Sequence, residues 1–324
     1  REVDTLPLMS IKFGVSLTGR GALADREAIT RLAQRADTLG FDSIFVTDRM
    51  LIPVSPTSGY PYSPTGAFPL GPDEPWLEAL TAVNYLATVT RRIHVGTSVL
   101  VVPYRNPVFT ARALATADYL SGGRIILGAG VGWWRAEFAA LGVPFEERAA
   151  RTDEALRIMK AVWTRPRITH KGRFWQIEEA GGVFPQPVQR PHIPIWIGGH
   201  TDAALRRVVA LGDGWHPLGL RPPVALHPPE MGAAVRRLRD MAAAAGRDPG
   251  SIMVTFKGPV KFDPAAPAER PPLTGSADQI VEDLCLYAAA GVEHFILDFS
   301  VPTVPEMLDV LERITADVRP RVRA

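Results

Sequence analysis

Disulfide chemistry has no place within this chain, because Cys285 is its one cysteine. That scarcity fits a reducing, cytoplasmic setting. The neighbours Ile280, Leu284 and Ala288 recur at helical spacing around Cys285, which predicts a buried structural thiol rather than a nucleophile. No apolar run approaches the roughly 20 residues that span a bilayer. No basic segment leads into an apolar stretch near the N-terminus, so a secretory signal is not expected. Residues 1–8 read as an extension, either a tag or an alternative start. Met9 is the expected natural start, and 9–324 a single domain. Neither charge sign dominates, with 36 Lys and Arg against 34 Asp and Glu and a formal net charge of +2. The charges are scattered, so neither nucleic acid nor a membrane surface is an expected partner. The seven histidines are dispersed without H-E-x-x-H or H-x-H, which leaves a metal site without support. A G-x-S-x-G elbow and a G-x-x-x-x-G-K-[ST] loop are also missing.

What is present is a repeat of strand-like and helix-like stretches. Ile11–Leu17 alternates as a strand and precedes a helix over Asp25–Leu39 that stops at Gly40. Ser43–Val46 leads through a long loop to a helix near Pro75–Thr88. Ile93–Ser98 precedes Pro107–Leu120, and Ile125–Ala129 precedes Arg148–Trp163. Arg165–Pro194 breaks the pattern as a Pro- and Gly-rich insertion. The alternation then resumes with Pro194–Ile197 and Thr201–Leu211, a short strand near Trp215, and Pro228–Ala245. Met253–Lys257 with Ala277–Ala290, and His294–Phe299 with Val304–Val318, complete about eight units. A doubly wound sheet also alternates. Eight units without a midpoint linker predict instead a closed (β/α)8 TIM barrel with insertions. The long loops after strands two and seven would then sit on the face where such barrels hold their chemistry.

Three segments carry candidate chemistry. Gly128-Ala-Gly130-Val131-Gly132 follows a strand but lacks the G-x-G-x-x-G spacing of a dinucleotide fold. Bare backbone there lets a flat ligand lie close, and Trp133 could wall its face, whereas Trp134 reads as core. Gly198-Gly199-His200-Thr201 passes from strand to helix, where unpaired N–H groups and a hydroxyl suit a phosphate. Thr201 would cap that helix as well. Asp48 and Arg49 leave the second strand at the expected mouth, where a structural ion pair is the plain alternative to catalysis. His216 and Glu137 are further ionisable groups that could face the mouth.

Together these segments resemble the luciferase-like monooxygenase superfamily, and within it the deazaflavin-dependent oxidoreductases. The residues that carry the resemblance are Phe13-Gly-Val-Ser16, Gly40-Phe-Asp-Ser43, Val46-Thr-Asp48, Val95-Gly-Thr-Ser-Val99 and Gly128-Ala-Gly-Val-Gly-Trp133. Phe145-Glu-Glu-Arg148, Pro194-Ile-Trp-Ile-Gly-Gly199 and Gly212-Asp-Gly-Trp215 continue it in the same order. The resemblance implies coenzyme F420, or FMN as the alternative, lying across the strand ends. It implies Thr97, Ser98 and Val99 behind the ring, with a non-proline cis peptide at Ser98-Val99. Gly130, Val131, Gly132 and Trp133 would lie beside the ring, and Gly198, Gly199, His200 and Thr201 would cradle the phosphate. Relatives that oxidise a sugar phosphate carry a histidine after the strand-two aspartate and a carboxylate after the glycine run. This chain has Arg49 and Trp133 there, so its substrate is expected to differ, and Arg49 is suited to an anion.

The expected activity is hydride transfer between deazaflavin C5 and a small organic molecule, with Asp48 and Arg49 as the catalytic candidates. The alternatives are an FMN monooxygenase supplied by a partner reductase and a cofactor-binding barrel without turnover. A homodimer is expected by analogy alone.

Overall fold

A computed structural model of the protein describes residues 11–54, 59–63, 65–68, 70–221 and 223–323. The expected extension at residues 1–8 and the start at Met9 lie outside them. Eight parallel strands close on themselves: β1 (Lys12–Ser16), β2 (Ser43–Val46), β3 (His94–Thr97), β4 (Ile125–Gly130), β5 (Ile195–Gly198), β6 (Gly214–His216), β7 (Met253–Phe262) and β8 (His294–Phe299). Each pairs with the next, and β8 returns to β1 with His294 beside Lys12. This is the (β/α)8 barrel that the alternation predicts.

Burial on both faces explains the strand composition. Side chains one apart point to opposite faces of a strand. Phe45, Ile126, Trp196 and Ile296 turn inward and fill the barrel's centre. Their neighbours Ile44, Val46, Ile125, Leu127, Ile195, Ile197, Phe295 and Leu297 turn outward into the larger core beneath the helices. That ring contains α1 (Arg26–Thr38), α2 (Ala79–Val89), α3 (Pro107–Ser121), α4 (Arg135–Ala140), α5 (Arg148–Thr164), α6 (Asp202–Leu211), α7 (Pro228–Ala244), α8 (Ala277–Ala289) and α9 (Val304–Arg313). Local chemistry starts several of them. Asp25 caps α1, Asn106 precedes Pro107 at the start of α3, and Ser276 with Gln279 forms a capping box on α8.

The departures from the sequence reading have local causes. α2 begins at Ala79 rather than Pro75, because Pro75 and Leu77 hydrogen-bond to the segment after β1. α4 was not anticipated. β7 runs on to Phe262 because it stays paired with β8 as far as Val260 beside Phe299, and Lys261 and Phe262 then pair with Thr274 and Gly275. The insertion contains a hairpin, Arg167–Lys171 with Gln176–Gly181. Glu154 of α5 pins its turn by accepting the N–H groups of Arg173, Phe174 and Trp175. Cys285 is half-buried, with its sulfur accepting the Arg323 N–H at 3.5 Å. Among the described residues no helix is long and apolar enough to cross a membrane.

One irregularity shapes the mouth. Gly96 pairs with Ile126, and Leu100 pairs with Ala129, so four steps on one strand meet three on the other. The extra residue makes a β-bulge, which unhooks Ser98 and Val99 from the ladder. The Ser98-Val99 peptide is cis. Glycines opposite make room: a Cβ on Gly128 would fall 1.8 Å from the Thr97 carbonyl oxygen, and one on Gly130 2.4 Å from Val99 Cγ2.

Backbone cannot step aside as a flexible side chain can. Gly128→Ala should therefore destabilise the fold by about 2 kcal/mol or more, read as a lowered midpoint in thermal unfolding. An unchanged midpoint would contradict the close packing of the bulge.

Candidate functional site

At the C-terminal ends of the strands lies a cavity of about 480 Å3. Every barrel strand or the segment just after it contributes to the lining, from Thr18 and Arg20 after β1 round to Asp298 of β8. The long loop after β2 covers it with Tyr60, Tyr62, Phe68 and Trp76. Asp48, Arg49, Ser98, Val99, Gly130, Val131, Gly132, Trp133, Gly198, Gly199, His200 and Thr201 all line this space. Thr97 does not. It is fully buried, with its hydroxyl donating to the Gly128 carbonyl at 2.7 Å.

Asp48 is buried and its carboxylate is fully engaged. It accepts the Val101 N–H at 2.9 Å and two guanidinium N–H groups of Arg105 at 2.7 Å each. Arg105 also reaches Glu78 at 2.7 Å. This bidentate pairing ties the end of β2 to the segment beyond the bulge.

Arg49 pairs with Glu137, which lies behind the cavity wall and is completely buried. Glu137 also accepts the Met50 N–H at 2.8 Å and the Tyr104 hydroxyl at 3.0 Å. Burial, and then the Glu137 charge, push the Tyr104 phenol well above its usual pKa, so it stays a neutral donor. The Arg49 guanidinium is boxed by rings, with centroids at 4.9 Å for Trp134, 5.3 Å for Trp133 and Phe68, and 5.6 Å for Trp76. Trp133 stacks on the buried Trp134 at 4.8 Å, so the half-buried indole has a rigid backing.

The cavity floor is a buried polar chain. Lys257 Nζ donates to Ser98 Oγ at 3.2 Å, and Ser98 Oγ lies 2.8 Å from His216 Nε2. His216 Nδ1 is in turn 2.8 Å from Thr255 Oγ1. These contacts are all satisfied with Ser98 donating to His216 Nε2 and His216 Nδ1–H donating to Thr255, or with both donors reversed. Burial, reinforced by the Lys257 charge, lowers the His216 pKa from 6.5 to about 3, so the imidazole is neutral. Burial also lowers Lys257, against the pull of Asp298 3.5 Å away.

On the β5 side, Gly199 has φ +108°, a conformation that favours glycine. Thr201 caps α6 by accepting the Ala204 N–H at 3.3 Å. His200 Nε2 lies 2.7 Å from the Leu218 carbonyl and donates to it. Burial lowers the His200 pKa, so this ring too is neutral. First-turn N–H groups have no partner within their helix. The loop and the start of α6 therefore offer donors and the positive end of a helix dipole to an anion.

Sequence reasoning brought out the glycine segments, the strand-two pair and His216. It placed Glu137 at the mouth, whereas the structure puts it behind Arg49. It missed Arg20, Tyr60, Arg221, Lys257 and Asp298. For Lys257 a signal existed, since a lysine inside a strand buried on both faces needs a partner. Among the described residues no group of His, Cys, Asp or Glu is arranged to hold a metal.

The sequence model of the luciferase-like monooxygenase family matches residues 9–270. The chain is 32% identical over 227 residues to an uncharacterized Mycobacterium tuberculosis protein, spanning 70% of this chain and 75% of that one. It is 31% identical over 191 residues to an F420-dependent glucose-6-phosphate dehydrogenase from Amycolatopsis mediterranei, spanning 58% and 52%. Among solved structures, an F420-dependent secondary alcohol dehydrogenase in complex with an F420-acetone adduct superposes with a TM-score of 0.77. At 18% identity, over 98% of this chain and 100% of that one, this likeness concerns the fold.

Two outcomes follow from the buried charges. Glu137→Ala strands Arg49 in its aromatic box and should cost about 3–5 kcal/mol in urea unfolding; a loss under 1 kcal/mol would contradict the buried pairing. For His216 the unfolded chain binds a proton near pH 6.5 that the folded chain refuses until about pH 3. Its contribution is thus complete above pH 6.5 and lost as pH falls toward 3. The stability of His216→Gln should fall less steeply than wild type across that window, and parallel curves would contradict the assignment.

Proposed function

Because this chain belongs to the luciferase-like monooxygenase family, we propose that it is an F420-dependent oxidoreductase acting on a small organic substrate. The observation that carries this reading is the build of one side of the mouth. A backbone wall at Gly130–Gly132 stands next to the bulge at Ser98-Val99 and leads to the anion cradle at Gly198–Thr201. A flat ring with a phosphate-bearing side chain fits that combination, and the F420-dependent relative supports the deazaflavin over other flat rings. When bound, a deazaflavin supplies hydride at C5, a carbon where oxygen activation is disfavoured.

The roles of the chain's own residues follow from their contacts. Val99 and the backbone of Gly130, Val131 and Gly132 would back the ring, and Trp133 would close one edge. Gly199, His200 and Thr201 with the start of α6 would hold the phosphate. Asp48 acts by fixing the bulge through Val101 and Arg105, and Arg49 by bracing Trp133, so both position the site. Ser98 Oγ, between Lys257 Nζ and His216 Nε2, is the hydroxyl through which a proton is held at the floor. The loop rings of Tyr60, Tyr62 and Phe68 keep water away from the reacting atoms.

The second reading is an FMN monooxygenase fed by a reductase, favoured by the family's own description. Titration of the purified protein with F420 and with FMN separates the two. F420 should bind at least about tenfold more tightly, and Gly199→Ala, which forces a side chain onto φ +108°, should weaken that binding by a similar factor. Preference for FMN would replace the first reading with the second.

A further inference from the structure

The cavity wall is uneven in charge. Around β2 to β5 the cations are matched: Arg49 by Glu137, Arg105 by Asp48 and Arg207 by Asp153. Where β1, β6, β7 and β8 end, Arg20, Arg221 and Lys257 share a single carboxylate, Asp298. Lys257 lies 3.5 Å from it and Arg221 3.4 Å, both longer than a close charge-assisted bond. Arg20 forms no ion pair among the described residues, and its guanidinium rests 5.6 Å from the centroid of the Trp76 ring. Burial lowers the Arg20 pKa; Asp298 opposes that shift, while Arg221 and Arg49 add to it by repulsion. Tyr60 lies in the same field: burial raises its phenol, and Arg221 and Arg20 draw it down.

Three cations around one carboxylate leave an excess of positive charge inside a partly dry pocket. Low-dielectric walls focus that field, and an anion entering the pocket relieves the repulsion among the guanidiniums. The side chains differ in what they offer. Lys257 is committed to Ser98 and Asp298, whereas among the described residues the Arg20 guanidinium donates to no acceptor and the buried Arg221 Nε has no partner, and Tyr60 adds a hydroxyl.

We propose that Arg20, Arg221 and Tyr60 form an oxyanion subsite, so that the substrate is a small apolar or aromatic body carrying one carboxylate or phosphate. This rests on the oxidoreductase reading for the word substrate, but the subsite itself is a property of the chain. In this subsite Arg20 follows β1, four strands round the barrel from the phosphate cradle at β5, whereas Arg221 follows the neighbouring β6. The rings of Tyr62, Phe68 and Trp76 supply the apolar wall beside it. Planar guanidiniums suit both anions through paired N–H donors.

The test is calorimetric titration of the full chain with hydrocinnamate, its uncharged amide and phenyl phosphate, with and without saturating F420. The acid should bind at least about tenfold more tightly than the amide. Phenyl phosphate against hydrocinnamate tells which oxyanion is preferred, and either preference supports the subsite. In Arg20→Met and in Arg221→Met the acid–amide preference should fall to about twofold or less. Should a variant fail to fold, the wild type alone still decides, because the preference must shrink as salt is raised from 50 mM to about 0.5 M. Equal affinities for acid and amide overturn the proposal, as does a preference that survives both substitutions or ignores salt. So does loss of acid binding under saturating F420 together with weakened F420 binding in Arg20→Met, because the guanidiniums would then serve the cofactor's own anionic tail. If F420 does not bind at all, the titrations without it still report on the subsite, so the two readings fail separately.

Discussion

Asp48 reaches from the end of β2 to the segment after the neighbouring β3 with both carboxylate oxygens, taking the Val101 N–H on one and Arg105 on both. That contact joins the end of β2 to the segment beyond the bulge, where the β3–β4 ladder is interrupted. Without it the segment after the bulge would have only Leu100 and Val101 to re-pair with β4. The position of Ser98 and Val99, and with it the floor of the cavity, depends on where that segment is anchored. Removing one partner of a buried ion pair leaves the other charge desolvated, so the pair resists piecemeal change. The glycines of β4 are the matching half of the arrangement, since they let a displaced strand lie closer than any side chain would permit.

The rest of the mouth is built on the same economy of buried charge. Arg49 would be costly among four aromatic rings, yet Glu137 sits directly behind it and is itself held by two backbone N–H groups and Tyr104. The result is a cation fixed in place that stiffens the Trp133–Trp134 stack. On the floor, neutral His216 lets Ser98 serve both Lys257 and the imidazole without a second positive charge. Each of these groups would be awkward alone, and they are tolerable because neighbours from different strands arrive together. Around Asp298 the matching stops short.

Much of the barrel was legible in the sequence, and the reason is periodicity. Strands such as Ile125–Gly130 and His294–Phe299 carry apolar residues at successive positions, as burial on both faces demands. Helices such as Pro107–Ser121 announce themselves through Asn106 and Pro107. The glycine segments were legible as sites because a bare backbone before a helix has few purposes. Thr97 escaped correct placement because alternate residues of a strand face opposite ways, and the bulge begins just after it. Glu137 was misplaced because α4 is only six residues long and leaves little pattern to read. Arg20, Tyr60 and Arg221 were invisible for a different reason. They sit in loops, where a charged or polar residue looks like ordinary surface until the fold turns it inward.

The interior plug of Phe45, Ile126, Trp196 and Ile296 has a kinetic consequence. With the barrel's centre filled, no path to the cavity rises through the middle of the molecule, and molecules must arrive from the loop side. Whatever rests on the floor beside Ser98 must therefore arrive before whatever rests above it, and depart after it. The fold thus imposes a sequence on binding: the deeper ligand is a resident and the upper one a visitor.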